Sequence, residues 1–211
     1  MQWSPAQLSL VQEMIQIGSD IVSRKLTLAS GGNMSVRDPE NSEQFVVTGA
    51  GTWFDRLGAN HFSTVSLEGQ VVGGTIQPSS EWKLHQRTYV KRPDVMAIIH
   101  VHPQYSVLID ALGHSVRFFT VDHISYVESI GTVPFAPNGS DALGDSVAEQ
   151  FATQNCVILG NHGSATAADS LEMAYRRVLN LEEAAMNTYR ALLLGDRSSS
   201  FTQDGPFSVH A

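Results

Sequence analysis

The chain of 211 residues contains one cysteine, Cys156, so no disulfide can close within it and nothing points to an oxidising compartment. Cys156 opens the apolar run Cys156-Val157-Ile158-Leu159, where a buried, inert thiol is expected rather than a nucleophile. Basic residues are also few: 13 Lys and Arg stand against 21 Asp and Glu, for a net charge of −8. No Lys/Arg cluster relieves that balance, which argues against nucleic acid or an anionic membrane as the main partner. A few local donors still suffice for a small anion. Apolar runs reach only about five residues, too short to span a bilayer. The start, Met1-Gln2-Trp3-Ser4-Pro5, has no basic stretch followed by an apolar core, so a signal peptide is not expected and the cytoplasm is the expected location.

Internal repeats, low-complexity tracts and long linkers are missing as well. With 42% apolar and 16% charged residues, the chain reads as one globular domain over 1–211. The tail 196–211 is expected to be mobile unless it docks, for example at a subunit interface.

Hydrophobic periodicity and turn residues divide the rest. Ser4-Pro5-Ala6-Gln7 has the form of a capping box and predicts a helix running to about Lys25. Strands are expected at 34–37, 45–48, 62–66 and 70–72. Pro78-Ser79-Ser80 predicts the entry to a helix from Glu81 to Lys91, which Arg92-Pro93 ends. A strand over 95–101 and a helix over 104–112 follow. Next come a strand near 132–134, a helix across Leu143, Val147 and Phe151, and a strand over 157–159. Asp169-Ser170-Leu171-Glu172 has capping-box form and predicts a long helix closed by Gly195. Several strand connections are too short for a parallel crossover, so the order implies a mixed α/β fold with a largely antiparallel sheet.

Chemistry concentrates at strand ends. His100 and His102, two apart on one strand, project to the same face, where paired imidazoles suit zinc. Pro103 then ends the strand and opens the site to a loop. His162, in Gly160-Asn161-His162-Gly163, follows another apolar strand and supplies a third imidazole. The plain alternative for each is a surface or turn histidine. Glu81 follows Ser79 and Ser80 at a helix start, where free N–H groups favour an anion. It either complements the helix dipole or turns toward a metal. His85, one turn later on the same face, is expected to pack or to hydrogen-bond a ligand residue, with direct ligation as the alternative. Ser30-Gly31-Gly32-Asn33 offers adjacent amides that can cradle phosphate oxygens, or is simply a tight turn. It lacks a Walker lysine and the GxGxxG spacing, which argues against nucleotide.

Taken together, Ser30-Gly31-Gly32-Asn33-Met34-Ser35-Val36-Arg37, Pro78-Ser79-Ser80-Glu81-Trp82, His100-Val101-His102 and Asn161-His162-Gly163 resemble the class II aldolase/adducin family. The nineteen-residue step from Glu81 to His100 is also the family's, and within it the pattern is most like the L-fuculose-phosphate aldolases. The similarity spans about residues 6–195.

The resemblance implies a single-domain, three-layer α/β/α fold. It further implies one zinc ion, or another divalent transition metal, held by His100, His102 and His162, with Glu81 as a fourth ligand that swings away to move a proton. A substrate phosphate would be held by Gly32, Asn33, Gly51, Ser79 and Ser80. The expected activity is cleavage of a ketose 1-phosphate to dihydroxyacetone phosphate and an aldehyde through a metal-stabilised enediolate, in a homotetramer with interface active sites. The alternatives are another lyase, a dehydratase, a decarboxylase or a pentulose-phosphate 4-epimerase of the same family, or an adducin-like module without activity. Two departures are visible. Ala50, in Val47-Thr48-Gly49-Ala50-Gly51, stands where the fuculose enzymes have threonine. Their catalytic tyrosine is replaced near His123, so His123 is expected as proton donor, with Tyr126 in that part, or a structural role for both, as the alternatives.

Overall fold

A computed structural model describes residues 3–201. One eight-stranded sheet carries the chain, in the order β4-β3-β2-β1-β5-β8-β7-β6. The strands are β1 Asn33–Arg37, β2 Gln44–Thr48, β3 Phe62–Ser66, β4 Val71–Gly74, β5 Ala97–Val101, β6 Ile130–Val133, β7 Cys156–Leu159 and β8 Gly163–Ala168. The helices are α1 Pro5–Ser23, α2 Trp82–Lys91, α3 Gln104–Ala111, α4 Asp141–Phe151 and α5 Leu171–Leu193. Every strand pair is antiparallel except β6–β7. That exception has its crossover helix, α4, between the two strands, as a parallel pair requires.

Alternation along the strands separates two cores. Met34 and Val36 of β1 and Ala97, Ile99 and Val101 of β5 face α1 and α5, meeting Val11, Met14, Ala174 and Val178. Ile98, Phe45, Val47, Val157 and Leu159 face the other way, toward Leu84 and Tyr89 of α2 and Leu143, Val147 and Phe151 of α4. The sheet is thus sandwiched between helix layers, the three-layer arrangement expected. On the α2 side the same alternation places polar residues, Asn33, Ser35 and His100, in a buried strip. That strip builds the site.

Local signals account for the helix starts. Ser4 and Gln7 form the reciprocal capping box with Pro5 in the first turn. The long helix α5 is capped by Ser170, whose side chain accepts from the Met173 amide. The cap therefore lies one residue beyond the Asp169 expected from the sequence, and with Met173 in the third position no reciprocal box closes. Strand β8 has no counterpart among the expected strands, because Gly163-Ser164-Ala165-Thr166-Ala167-Ala168 lacks the branched and aromatic residues that mark them. All six residues are buried between β5 and β7. Their small side chains let α5 approach closely, and the Thr166 hydroxyl donates to the Ala174 carbonyl at 2.8 Å.

The first part of the tail, 196–201, makes contacts within the chain. Asp196 accepts from the Ser198 and Ser199 amides, Arg117 donates to the Ser199 carbonyl, and Phe201 N–H donates to the Phe118 carbonyl. Residues 202–211 lie outside the described part of the chain. No helix among the described residues is long and apolar enough to cross a membrane.

Candidate metal centre

His100 is the fourth residue of β5, and in the β1–β5 ladder it stands opposite Asn33. His102 follows the strand immediately, and Pro103 cannot cap the helix that comes next because it lacks a side-chain acceptor. Glu182 of α5 takes that part: its two carboxylate oxygens accept from the amides of Tyr105 at 2.8 Å and Ser106 at 2.9 Å. His162 lies in the tight connection between β7 and β8, whose register pairs Leu159 with Gly163. Asn161 turns that corner with a φ of 54°, a left-handed conformation that Asn tolerates better than most residues.

Two glycines let these histidines close up. A Cβ on Gly163 would sit 2.4 Å from the Val101 carbonyl oxygen and 2.9 Å from ring carbons of both His100 and His102. A Cβ on Gly32 would sit 2.4 Å from the His100 carbonyl oxygen, at a φ of +82°. Neither position has room for a side chain.

The three imidazoles form a nearly regular triangle, each pair of ring centroids 4.9 Å apart. Nε2 of His102 lies 3.1 Å from Nε2 of His100. Glu81 reaches in from the N-terminus of α2, with Oε2 at 3.3 Å from His100 Nε2 and Oε1 at 3.2 Å from His162 Nε2. Although Glu81 occupies the cap position of α2, its side chain makes no capping hydrogen bond. The carboxylate faces the histidines, which decides against the capping alternative.

Four donor atoms from Glu81, His100, His102 and His162 all lie within 4.8 Å of one another. A tetrahedral ion with metal–nitrogen bonds of about 2.0–2.1 Å spaces its ligands about 3.3 Å apart, close to the shorter separations here. Oε1 of Glu81 and both ring nitrogens of His162 are buried without a hydrogen bond among the described residues, although Oε1 and Nε2 approach each other; a buried polar atom so placed costs about 1–3 kcal/mol. A divalent cation would satisfy Oε1 and one nitrogen of His162. His100 Nδ1 donates to the Ser164 carbonyl at 2.9 Å, which leaves its Nε2 lone pair toward the cluster, as ligating histidines are commonly held. The residues therefore fit a divalent metal.

Burial, followed by the neighbouring His100 and His162, pushes His102 down to about 4. Burial likewise lowers His162. Both rings are neutral near pH 7, the form that binds metal. For Glu81, burial works upward but is outweighed by the hydrogen bond with His100 and the imidazole charges, leaving the carboxyl at about 2. It is an ionised ligand.

The loops expected to form an anion site meet at the same end of the sheet. Gly49 bridges Pro78, the Ala50 amide donates to the Gln77 carbonyl, and the Ser79 amide donates to the Thr48 carbonyl. Gly51 and Ser80 are exposed, while the buried Ser79 hydroxyl accepts from the Glu81 amide at 3.3 Å. Asn33 is buried with both ends of its amide engaged, Nδ2 donating to Glu81 at 3.1 Å and Oδ1 lying 2.5 Å from His85 Nε2. His85 is not in the four-residue cluster; it stands one residue behind it.

His123 is not in the cluster either. It is buried on a single π-helical turn, where Nδ1 accepts from the Phe119 amide at 3.1 Å and Nε2 lies 3.3 Å from Glu183. Both ring nitrogens are occupied in this protomer. The Tyr126 hydroxyl accepts from Arg176 at 3.2 Å on the surface. Cys156 is buried, and that burial pushes its thiol up to about 12. Ser35, Tyr89, Glu182 and the Ser164 carbonyl are all part of the support, yet sequence reasoning assigns a role to none of them. The clue to the first two is periodicity: Ser35 is two along β1 from Asn33, and Tyr89 is four along α2 from His85.

Comparison with known proteins agrees with this geometry. Residues 12–189 match the family described as Class II Aldolase and Adducin N-terminal domain. The chain is 31% identical over 175 residues to the L-fuculose phosphate aldolase of Methanococcus maripaludis, covering 83% of this chain and 93% of that one. It is 29% identical over 177 residues to the 3-oxo-tetronate 4-phosphate decarboxylase of Haemophilus influenzae, covering 82% and 83%. Among solved structures, YgbL from Klebsiella pneumoniae superposes with a TM-score of 0.86 at 28% identity, covering 95% of this chain and 97% of that one. With three imidazoles and a carboxylate gathered as such chemistry needs, the chain belongs to the class II aldolase and adducin family and is a metal-dependent carbon–carbon lyase.

Proposed function

We propose that this enzyme cleaves a ketose 1-phosphate of the L-fuculose-phosphate type to dihydroxyacetone phosphate and an aldehyde, with zinc as its divalent metal. The reading is carried by one observation: Glu81 lies 3.2–3.3 Å from two imidazole nitrogens that share a cluster with a third. Three imidazoles and a carboxylate are a donor set that suits zinc. A bound divalent ion would supply Lewis-acid polarisation of the substrate's carbonyl and adjacent hydroxyl oxygens, stabilising an enediolate.

The chain's own residues do the rest. In the cleavage direction, the bond between the carbon next to the carbonyl and the distal carbinol carbon breaks. Its electron pair enters the enediolate, and the carbinol hydroxyl passes its proton to water as it becomes the aldehyde. Glu81, turned from the ligand position, carries a proton to the enediolate carbon, giving dihydroxyacetone phosphate. Gly32, Gly51, Ser79 and Ser80 offer amides and hydroxyls for the phosphate, with the start of α2 contributing its dipole. Exposed Leu28, Trp53 and Phe135 lie on loops near these segments. They suit burial in a homotetramer with sites at subunit interfaces, which a light-scattering mass of four chains would support.

A second reading is favoured by a specific observation. Aldol cleavage needs a base for the hydroxyl proton besides the group that serves the carbon, and His123, expected there, has both nitrogens engaged. Decarboxylation of a phosphorylated 3-oxo acid releases CO2 and leaves an enolate that needs one proton, taken from water and delivered through Glu81. The test is product analysis on a panel of ketose 1-phosphates and 3-oxo-tetronate 4-phosphates. Triose phosphate release supports the aldolase; CO2 release with no triose phosphate replaces it with the decarboxylase.

A further inference from the structure

A line of buried polar side chains runs away from the metal cluster beneath α2. The Tyr89 hydroxyl lies 2.8 Å from Ser35 Oγ, which lies 2.7 Å from His85 Nδ1. His85 Nε2 lies 2.5 Å from Asn33 Oδ1, and Asn33 Nδ2 lies 3.1 Å from Glu81 Oε2. None of the five residues is more than 5% exposed, so each bond must be made within the protein.

The direction of the chain follows from its end. A carboxylate only accepts, so the Asn33 amide must present its nitrogen to Glu81 and its oxygen to His85. That oxygen also only accepts, so His85 carries a proton on Nε2. Among the described residues no carboxylate touches the buried ring, and burial holds its pKa down at about 3, so the ring is neutral and its Nδ1 is bare. Ser35 then donates to Nδ1, and Tyr89 donates to Ser35. Every donor points toward Glu81.

We infer that His85 is a positioning residue for Glu81: its Nε2–H locks the Asn33 amide with nitrogen toward the carboxylate, and the Tyr89–Ser35 pair locks His85 in that tautomer. Without the lock, the amide can turn over and set Oδ1 against Glu81 Oε2, two acceptors facing each other where no water intervenes. The carboxylate would lose the one hydrogen-bond donor it has outside the histidine cluster among the described residues, and with it the aim of its proton transfer. This inference rests on Glu81 as the proton carrier of the proposed function.

The test has one arm free of catalysis. In the zinc-loaded protein labelled with 15N-histidine, NMR should show His85 protonated at Nε2 and bare at Nδ1; the opposite tautomer overturns the inference whatever the substrate proves to be. In the second arm, His85→Phe, with zinc still bound at one per chain, should lower kcat about 10–100-fold with KM nearly unchanged. His85→Gln, which keeps a donor facing Asn33, should recover most of that loss. Should His85→Phe not fold, Ser35→Ala reads the same chain one link upstream and should lower kcat at unchanged KM. Unaltered kcat in these variants, while Glu81→Gln is inactive, overturns the positioning role alone. If Glu81→Gln also turns over normally, the proton-carrier reading falls with it.

Discussion

Asn33 and His100 face each other across the β1–β5 ladder, and both reach the same oxygen, Oε2 of Glu81, at 3.1 and 3.3 Å. One rung of the sheet thus fixes a neutral donor and a metal ligand on the carboxylate proposed to move the proton. Glu81→Gln keeps the shape and the three imidazoles, so it should retain zinc with at most a modest loss of affinity. Turnover should fall by about two to four orders of magnitude, the usual worth of a general acid or base. Metal analysis beside steady-state kinetics checks both halves.

The glycines behind the histidines should be intolerant. Gly163→Ala and Gly32→Ala each force a Cβ to 2.4 Å from a β5 carbonyl oxygen, and should cost at least about 2 kcal/mol and weaken zinc binding. Gly113→Ala is the control: its φ is +73° but no atom lies within 4 Å of the added carbon. It should cost only about 1 kcal/mol of backbone strain and leave metal affinity alone. Urea unfolding with a zinc titration separates the cases.

Acid should destabilise the protein in a way traceable to His85. Its pKa lies near 3 when folded and near 6.5 when unfolded. Between those values the unfolded chain binds more protons, so stability falls as pH drops below about 6.5. By pH 5 the loss from this one group is about 2 kcal/mol. Urea midpoints of the metal-stripped protein at pH 7.5 and 5 should therefore differ more for wild type than for His85→Phe.

Glu182 supports the site from a distance. Glu182→Ala strips two amides at the start of α3 of their acceptors, at a cost of about 1–2 kcal/mol, comparable to a lost helix cap. The segment just after His102 loosens with it, so zinc affinity should fall as well. Thermal unfolding with and without zinc reads both effects.

Ser80→Ala should raise KM for a phosphorylated substrate and leave kcat nearly unchanged, as expected for a contact made equally in ground and transition states. The same variant should show no difference from wild type on an unphosphorylated analogue.

Much of this site is legible in the sequence because strand periodicity is simple. His100 and His102 are two apart, and the glycines and Asn around His162 mark a tight turn, so spacing and turn chemistry alone point to the three imidazoles. Strand β8 is not legible in that way, because its alanines and its single serine suit the sheet only once α5 packs against them, a tertiary fact. The surroundings of His123 are not legible either: the folded ring lies between the Phe119 amide and Glu183, four and sixty residues away in sequence. The start of the tail reads as mobile by composition, yet Arg117 and Phe118, distant in sequence, supply its partners. The line from Tyr89 to Glu81 joins a strand to a helix, and no local pattern states that pairing.

The most direct measurement is a Co2+ titration of chelator-treated protein, followed by visible absorption, for wild type, His100→Ala, His102→Ala and His162→Ala. Wild type should bind one ion per chain with an intense tetrahedral spectrum, displaced stoichiometrically by zinc, and each substitution should abolish or severely weaken it. Absence of binding by wild type, or wild-type binding by all three variants, would contradict a metal held at this cluster.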